Sequence, residues 1–294
     1  MELLEESDMN VHYRHTRGEE GLIEGTERLE RARRRIVDDL EDVVETADAA
    51  GVVVPMDGAV ESSLVAALAA DAVGADRVLG LALPAHKIDH ADVVRTRTFA
   101  DELGIEFLEI PMYPLIDAFK RTVVPWLDDE GEAVPRSDRR TEENAVERLR
   151  MACLYFAANR RGLLVCGPTT RSELLLGTPT KHGDGAADHY PLGDLYSTEV
   201  RALATHRGLP EALFEPGAGA VDSLPDRVDW AGTDRELDSL LFRVLDREEP
   251  IVSSADTLGV DRREARLLLD RHVATRHKRR PASSPGVDER DRSS

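Results

Sequence analysis

Short runs of β-branched residues alternate with longer stretches whose apolar positions recur every three or four residues, and this alternation occupies most of the 294-residue chain. Residues 23–49 carry apolar side chains at helical spacing, Ile36, Leu40, Val43 and Val44 among them, and stop before Gly51. Residues 52–54 predict a strand, 62–73 a helix, 78–83 a second strand, and 91–103 a helix ended by Gly104. A third strand is expected at 107–110 and a helix at 115–124, after which the charge, Gly and Pro of residues 127–140 predict a surface loop. The pattern resumes with a helix at 142–159, a fourth strand at 163–166, and a helix at 198–207 closed by Gly208. Residues 214–233 form a Gly/Pro/Asp-rich connection, followed by helical patterns at 234–246 and 261–274.

Strands separated by helices imply right-handed βαβ units. The expected fold class is therefore α/β, a doubly wound and mainly parallel sheet with helices on both faces. Ligands of such sheets lie beyond the carboxyl ends of the strands, where residues 55–62 and 167–173 fall. Residues 51–70 also have the strand, glycine turn and helix layout in which N–H groups at a helix start receive phosphate. Residues 166–200, rich in Gly, Thr, Ser, Lys, Asp and Glu, read as a polar site loop. Three segments are expected: an N-terminal extension at 1–21, a main unit at 22–281, and a disordered Pro/Ser-rich tail at 282–294.

Composition narrows the class. At 41% hydrophobic the chain buries a sizeable core, and it has no run near the roughly 20 apolar residues that cross a bilayer. The charged N-terminus is unlike a signal peptide, so the expectation is a cytoplasmic protein with no membrane partner. Cys153 and Cys166 lack metal-ligand spacing and are expected as small buried apolar residues. A net charge of -19 disfavours nucleic acid as a partner. Lys87, Lys120, Lys181 and Lys278 are the only lysines, so 38 minus 4, or 34, of the basic residues are arginine. This acidic, lysine-poor, aromatic-poor composition looks like that of a protein from a high-salt cytoplasm, although a GC-rich genome alone would give the arginine bias.

Several ordered motifs carry a more specific signal. Asp57, Gly58, Ala59, Val60, Glu61 and Ser62 stand after the first strand; Val146, Glu147, Arg148, Leu149, Arg150 and Met151 on a helix; and Gly167, Pro168, Thr169, Thr170, Arg171, Ser172 and Glu173 after the fourth strand. Thr180, Lys181, His182, Gly183 and Asp184 follow, then Pro191, Leu192, Gly193, Asp194, Leu195 and Tyr196, and a basic stretch of His277, Lys278, Arg279 and Arg280 before Pro281. Over about residues 22–281 this series resembles the ammonia-dependent NAD+ synthases, N-type ATP pyrophosphatases of adenine nucleotide alpha-hydrolase-like fold. The family's corresponding motifs are Ser-Gly-Gly-x-Asp-Ser, Gln-Ala-Arg-x-Arg-Met, Gly-Thr-x-Asn-Lys-Ser-Glu, Thr-Lys-Tyr-Gly-Asp and Pro-x-x-Asp-Leu-Tyr-Lys.

The resemblance implies ATP and Mg2+ as cofactors, deamido-NAD and ammonia as partners, and a homodimer with its site near the subunit interface. It implies catalytic roles for Lys181 and Asp184, phosphate contacts from Asp57, Gly58, Ala59, Glu61, Ser62, Arg171 and Thr180, and magnesium ligation by Glu61 and Glu173. Arg148, Asp184, His277 and Lys278 would meet the substrate. Four positions depart from the motifs: Asp57 replaces a hydroxyl donor, Ala59 a glycine, Thr170 an asparagine and Ser197 a lysine. Asp57 is further expected to accept from N–H groups at the helix start and fill the anion seat itself.

Three functions stay open on the sequence: an active ligase, a catalytically impaired paralogue serving as a binding or regulatory subunit of an active synthase, and an adenylating enzyme with another substrate. Ordinary alternatives also stand beside the site assignments. Residues 55–62 suit a capped turn, Glu173 and Asp184 solvated loop carboxylates, Arg148 and Arg150 surface ion pairs, and residues 278–280 a solvated tail.

Overall fold

The computed structural model of the protein describes residues 21–85, 90–127, 139–214, 221, 224 and 230–282. Expectations for the N-terminal extension, Lys87, the loop at 128–138, most of the 214–233 connection and the tail beyond 282 lie outside the described residues.

The chain runs α1 (Thr26–Thr46), β1 (Gly51–Pro55), α2 (Val60–Val73), β2 (Val78–Ala82), α3 (His90–Leu103), β3 (Glu106–Glu109), α4 (Tyr113–Val123), α5 (Arg139–Arg161) and β4 (Leu163–Val165). It continues with α6 (Arg171–Leu176), α7 (Ser197–Arg207), α8 (Asp234–Leu241), α9 (Ile251–Leu258) and α10 (Arg262–Ala274). The strands form one sheet in the order β3-β2-β1-β4, and all three pairings are parallel. Val53 of central β1 sits between Leu79 of β2 and Val165 of β4.

Alternation along β1 explains the two covered faces, because successive side chains of a strand point to opposite sides. Val52 and Val54 join Leu40 and Val44 of α1, Leu64 and Leu68 of α2, and Val200 and Leu203 of α7. On the other face Val53 joins Leu79, Leu81 and Val165, packed against Met151, Leu154 and Ala158 of α5. This is the expected doubly wound α/β arrangement. Helix α2 lies deepest: Val60 and every residue from Ser62 to Ala69 is buried, as a helix apolar on all sides requires. A third apolar cluster, with Leu176, Tyr196, Leu237, Leu240, Phe242, Ala255 and Leu268, joins α8, α9 and α10 to the end of α6.

Several boundaries differ from expectation. Arg139 and Arg140 begin α5 rather than ending a loop. The polar stretch 166–200 contains α6 and the start of α7, because Thr170 caps one helix and Gly177 ends it in the left-handed region at φ 60°. The pattern at 234–246 divides into α8 and a π-helical turn, Phe242–Asp246. Helix α9 was not anticipated; Ile251, Ala255 and Leu258 keep helical spacing between Pro250 and Gly259, but in only eight residues. Cys166 is buried as expected, whereas Cys153 is only partly so. No helix of the described residues is long and apolar enough to cross a membrane.

Leu64 is fully buried and Trp126 is 87% exposed, which gives a test of where stability resides. Leu64→Ala should lower the unfolding free energy by about 2–5 kcal/mol. Trp126→Ala should change it by less than about 0.5 kcal/mol in the dissociated chain, at protein concentrations too low for self-association. Urea unfolding of both variants checks this, and equal effects would contradict the core described here.

Candidate functional site

The chain leaves the carboxyl end of β1 through Gly58, whose φ of 93° is a conformation that residues with a Cβ rarely adopt. The bend returns Asp57 over the start of α2, where the N-cap residue is Ala59 and supplies no side-chain cap. Asp57 Oδ1 accepts from the Ala59 N–H at 3.0 Å and from Ser62 Oγ at 2.7 Å. Ser63 Oγ donates to the Ala59 carbonyl at 2.9 Å. In the next position along the helix, half-buried Glu61 has a carboxyl pushed above the usual range by burial, with the Asp57 charge acting in the same direction.

Beyond β4, Thr170 and Glu173 close a capping box at the start of α6. The Thr170 N–H and Oγ1 both donate to Glu173 Oε2, at 2.8 and 2.9 Å. Burial pushes the Glu173 carboxyl up to about 7, and the nearby Glu61 charge contributes. Among the described residues neither Glu61 nor Glu173 has an ion-pair partner. Two desolvated carboxylates that repel one another, with the Arg201 charge only partly offsetting Glu61, are a suitable donor set for a hard divalent cation. Magnesium is commonly held by one or two carboxylates completed by substrate oxygens, so the pair fits it although no cluster of three or more candidate ligands occurs among the described residues.

A second group of side chains lies along the segment from Gly177 to Tyr190. The Thr180 N–H donates to Asp184 Oδ1 at 2.6 Å, and Thr180 Oγ1 donates to Asn144 of α5 at 2.9 Å. Asp184, pushed up to about 6 chiefly by burial and then by the Glu147 charge, opens a short turn, Asp184–Ala186. Lys181 Nζ donates to the carbonyls of His277 at 2.6 Å and Arg280 at 3.1 Å. Lys278 Nζ crosses in the opposite sense, to the carbonyls of Gly177 and Pro179 at 2.8 and 3.0 Å. Arg148, exposed on α5, donates to the Lys181 carbonyl at 3.2 Å. Between these elements is a cavity of about 110 Å³, lined by Lys181, Lys278, Arg279, Tyr190, Leu174 and Pro179 among others.

The structure thus gathers Asp57, Gly58, Ala59, Glu61, Ser62 and Glu173 at the carboxyl edge of the sheet, and Arg148, Thr180, Lys181, Asp184 and Lys278 beside the cavity. The two groups are electrically coupled, since Asp184 also helps to raise the Glu173 pKa. Arg171 joins neither group. Its guanidinium is engaged in a buried ion pair with Asp246, to which Tyr196 Oη also donates at 3.1 Å. His277 contributes its carbonyl to Lys181 while its own Nδ1 faces the Ala274 carbonyl at 3.2 Å. Ser197 is buried, with its Oγ 3.2 Å from Thr170 Oγ1.

Sequence reasoning overlooked several participants. Arg279 donates to the Leu174 and Leu175 carbonyls at 3.1 and 3.0 Å and lines the cavity; its place in the basic stretch was the available signal. Glu147, ion-paired to Arg150 at 2.7 Å, has its carboxyl raised by burial. Asp238 is fully buried and accepts from Ser172 Oγ at 2.6 Å and from the N–H and Oγ1 of Thr198 at 2.9 and 2.7 Å. Neither acidic residue falls in a motif position expected to be acidic.

Comparison with known proteins gives a consistent result. Residues 32–282 match the NAD synthase family. The NH(3)-dependent NAD(+) synthetase of Methanosarcina mazei is 36% identical over 260 residues, covering 87% of this chain and 98% of that protein. Among solved structures, the NH3-dependent NAD synthetase of Campylobacter jejuni superposes with a TM-score of 0.71 at 23% identity, over 87% of this chain and 98% of its own. The NMN synthetase of Francisella tularensis gives 0.70 at 25% identity, over 88% and 99%.

The raised pKa of Glu173 means that the folded protein holds this proton more tightly than the unfolded chain does. Its stabilising contribution is complete below the ordinary carboxylate range and is lost as pH rises through about 7. Glu173→Gln keeps an acceptor for Thr170 but cannot ionise. The variant should therefore gain stability relative to the wild type between about pH 5 and about pH 8. Urea midpoints at the two pH values measure the gap, and one that does not widen would contradict the assigned burial.

Proposed function

The chain belongs to the NAD synthase family, and we propose on that basis that it joins ammonia to the nicotinate carboxylate of deamido-NAD at the expense of ATP. In the first step a carboxylate oxygen attacks the α-phosphorus, the bond to the bridging oxygen breaks, and pyrophosphate leaves. In the second the ammonia lone pair attacks the acyl carbon, the bond to AMP breaks, and the nitrogen loses a proton. The products are NAD+, AMP and pyrophosphate.

The observation that carries this reading is the convergence of the desolvated Glu61 and Glu173 carboxylates at the sheet edge, electrically linked through Asp184 to a cavity lined by cations. Glu61 and Glu173 are the proposed magnesium holders; the ion, when bound, neutralises phosphate oxygens as charge shifts onto pyrophosphate. Gly58, Ala59 and Ser62 are the proposed phosphate contacts at the helix start. Lys181 and Lys278, which line the cavity, are the proposed partners of substrate charge, and Arg148 supports the Lys181 backbone. Asp184 shapes the 180–184 loop through the Thr180 N–H and, with a pKa of about 6, is suited to receive the proton that the attacking nitrogen gives up. Self-association as a homodimer belongs to the same proposal. It is supported by the 87% exposed Trp126 and 74% exposed Leu127, which follow a helix, α4, that buries no residue.

The test is product formation by the purified protein in concentrated KCl with MgATP, ammonium and either deamido-NAD or nicotinate mononucleotide. NAD+ and AMP should appear in equal amounts from the dinucleotide, and chelation of magnesium should abolish both. Lys181→Ala should lower kcat by about a hundredfold or more. Amidation of the mononucleotide alone would move the substrate assignment, and no amide product from either would overturn the reading. Sedimentation should give twice the 32.5 kDa chain mass.

A further inference from the structure

A phosphate bound at a helix start needs free N–H and hydroxyl donors, and in this chain those donors are already engaged. Asp57 Oδ1 takes both the Ala59 N–H and Ser62 Oγ, so one carboxylate oxygen sits where a phosphate oxygen would otherwise accept. The two partners differ in freedom. Ser62 is fully buried and fixed on α2, whereas Asp57 is exposed and has no ion-pair partner among the described residues. Its side chain can rotate into water without leaving a buried charge behind; doing so would free the Ala59 N–H and leave Ser62 Oγ only its longer 3.1 Å contact to the Ala59 carbonyl. Asp57 also adds to the charge felt by Glu61 and Glu147, whose carboxyls are raised first by burial. While it is seated, a polyanion approaching the loop meets three carboxylates; once it has swung out, the helix start is open.

We propose that Asp57 is a nucleotide-selecting gate, an internal carboxylate seated on the Ala59 and Ser62 donors that has to vacate them before the phosphates of MgATP can bind. The consequence is a high ATP threshold. Nucleotide affinity is reduced by the fraction of molecules in which the seat is filled, while the cationic cavity is lined by none of Asp57, Ala59 or Ser62, so the other substrate does not compete for the seat. This inference rests on the ligase reading above.

The experiment is calorimetric titration of the full chain with Mg2+ and a non-hydrolysable ATP analogue, for the wild type, Asp57→Asn and Asp57→Ser. Asn keeps an oxygen for both donors but removes the charge; Ser removes the occupant. Asp57→Ser should bind the analogue about tenfold tighter or more, because like-charge opposition is lost together with the competitor. Asp57→Asn should fall between the two. In turnover assays KM for ATP should drop in the same order while KM for deamido-NAD stays in place. Analogue affinity equal in the wild type and Asp57→Ser, or a parallel shift of both KM values, would overturn the proposal. Tighter analogue binding without amide product from any of the three proteins would leave the gate standing and remove the ligase reading. NAD+ formation with unchanged ATP affinity would do the reverse.

Discussion

Backbone carbonyls at the end of a short helix have to find donors, and at α6 that requirement organises everything around it. A six-residue helix is too short to persist by its own hydrogen bonds. Its terminal carbonyls are met from α10 and the turn that follows: Arg279 at Leu174 and Leu175, His272 at Leu175, and Arg271 and Lys278 at Gly177. Positive side chains at a helix C-terminus also suit its dipole. With that end fixed, the other end presents Glu173 next to the loop from β1. Gly177 is part of the same joint, since a Cβ there would collide with Thr275.

The cationic clamp has an electrostatic cost of its own. Burial lowers the pKa of Arg279 to about 10, with the Arg271 charge adding to the effect, and holds His272 neutral with a pKa of about 4. Burial raises the Glu173, Asp184 and Asp238 carboxyls in the opposite sense. Groups of both signs are thus kept close together but incompletely paired, in a chain whose overall charge is -19. Such an arrangement favours a ligand that brings anionic and cationic parts together, which is the form of a nucleotide with its metal.

The fold was legible because its rules are periodic. The valines at 52–54 and the Ala-rich run of α2 have one packing solution each, and parallel pairing follows from the helices between strands. Helix α9 escaped because eight residues with Ser and Asp on the surface leave a weak period. The site divided along a different line. The motifs drew attention to Glu61, Glu173, Lys181 and Asp184, whose roles remain part of the proposal, but a motif does not say where a long side chain turns, and Arg171 turned to Asp246, 75 residues later. Asp57 shows the opposite case. A residue that breaks a motif still obeyed local rules, since an aspartate two positions before an uncapped helix start accepts from it whatever the loop is for.

The clamp on α6 joins residues that are far apart in the chain, with 94 to 105 positions between donor and acceptor. Contacts of that range carry a large loop-closure cost and form late. During synthesis the sheet and α2 can assemble while residues 271–280 are still to be made. The nascent protein therefore has its loop between β1 and α2 before it has the wall that closes the cationic cavity. A chain that ended between Leu213 and α10 would keep every residue of the two sheet-facing clusters, yet it would lack the groups that hold Lys181 and the end of α6, and Leu176 would lose its cover from Leu268.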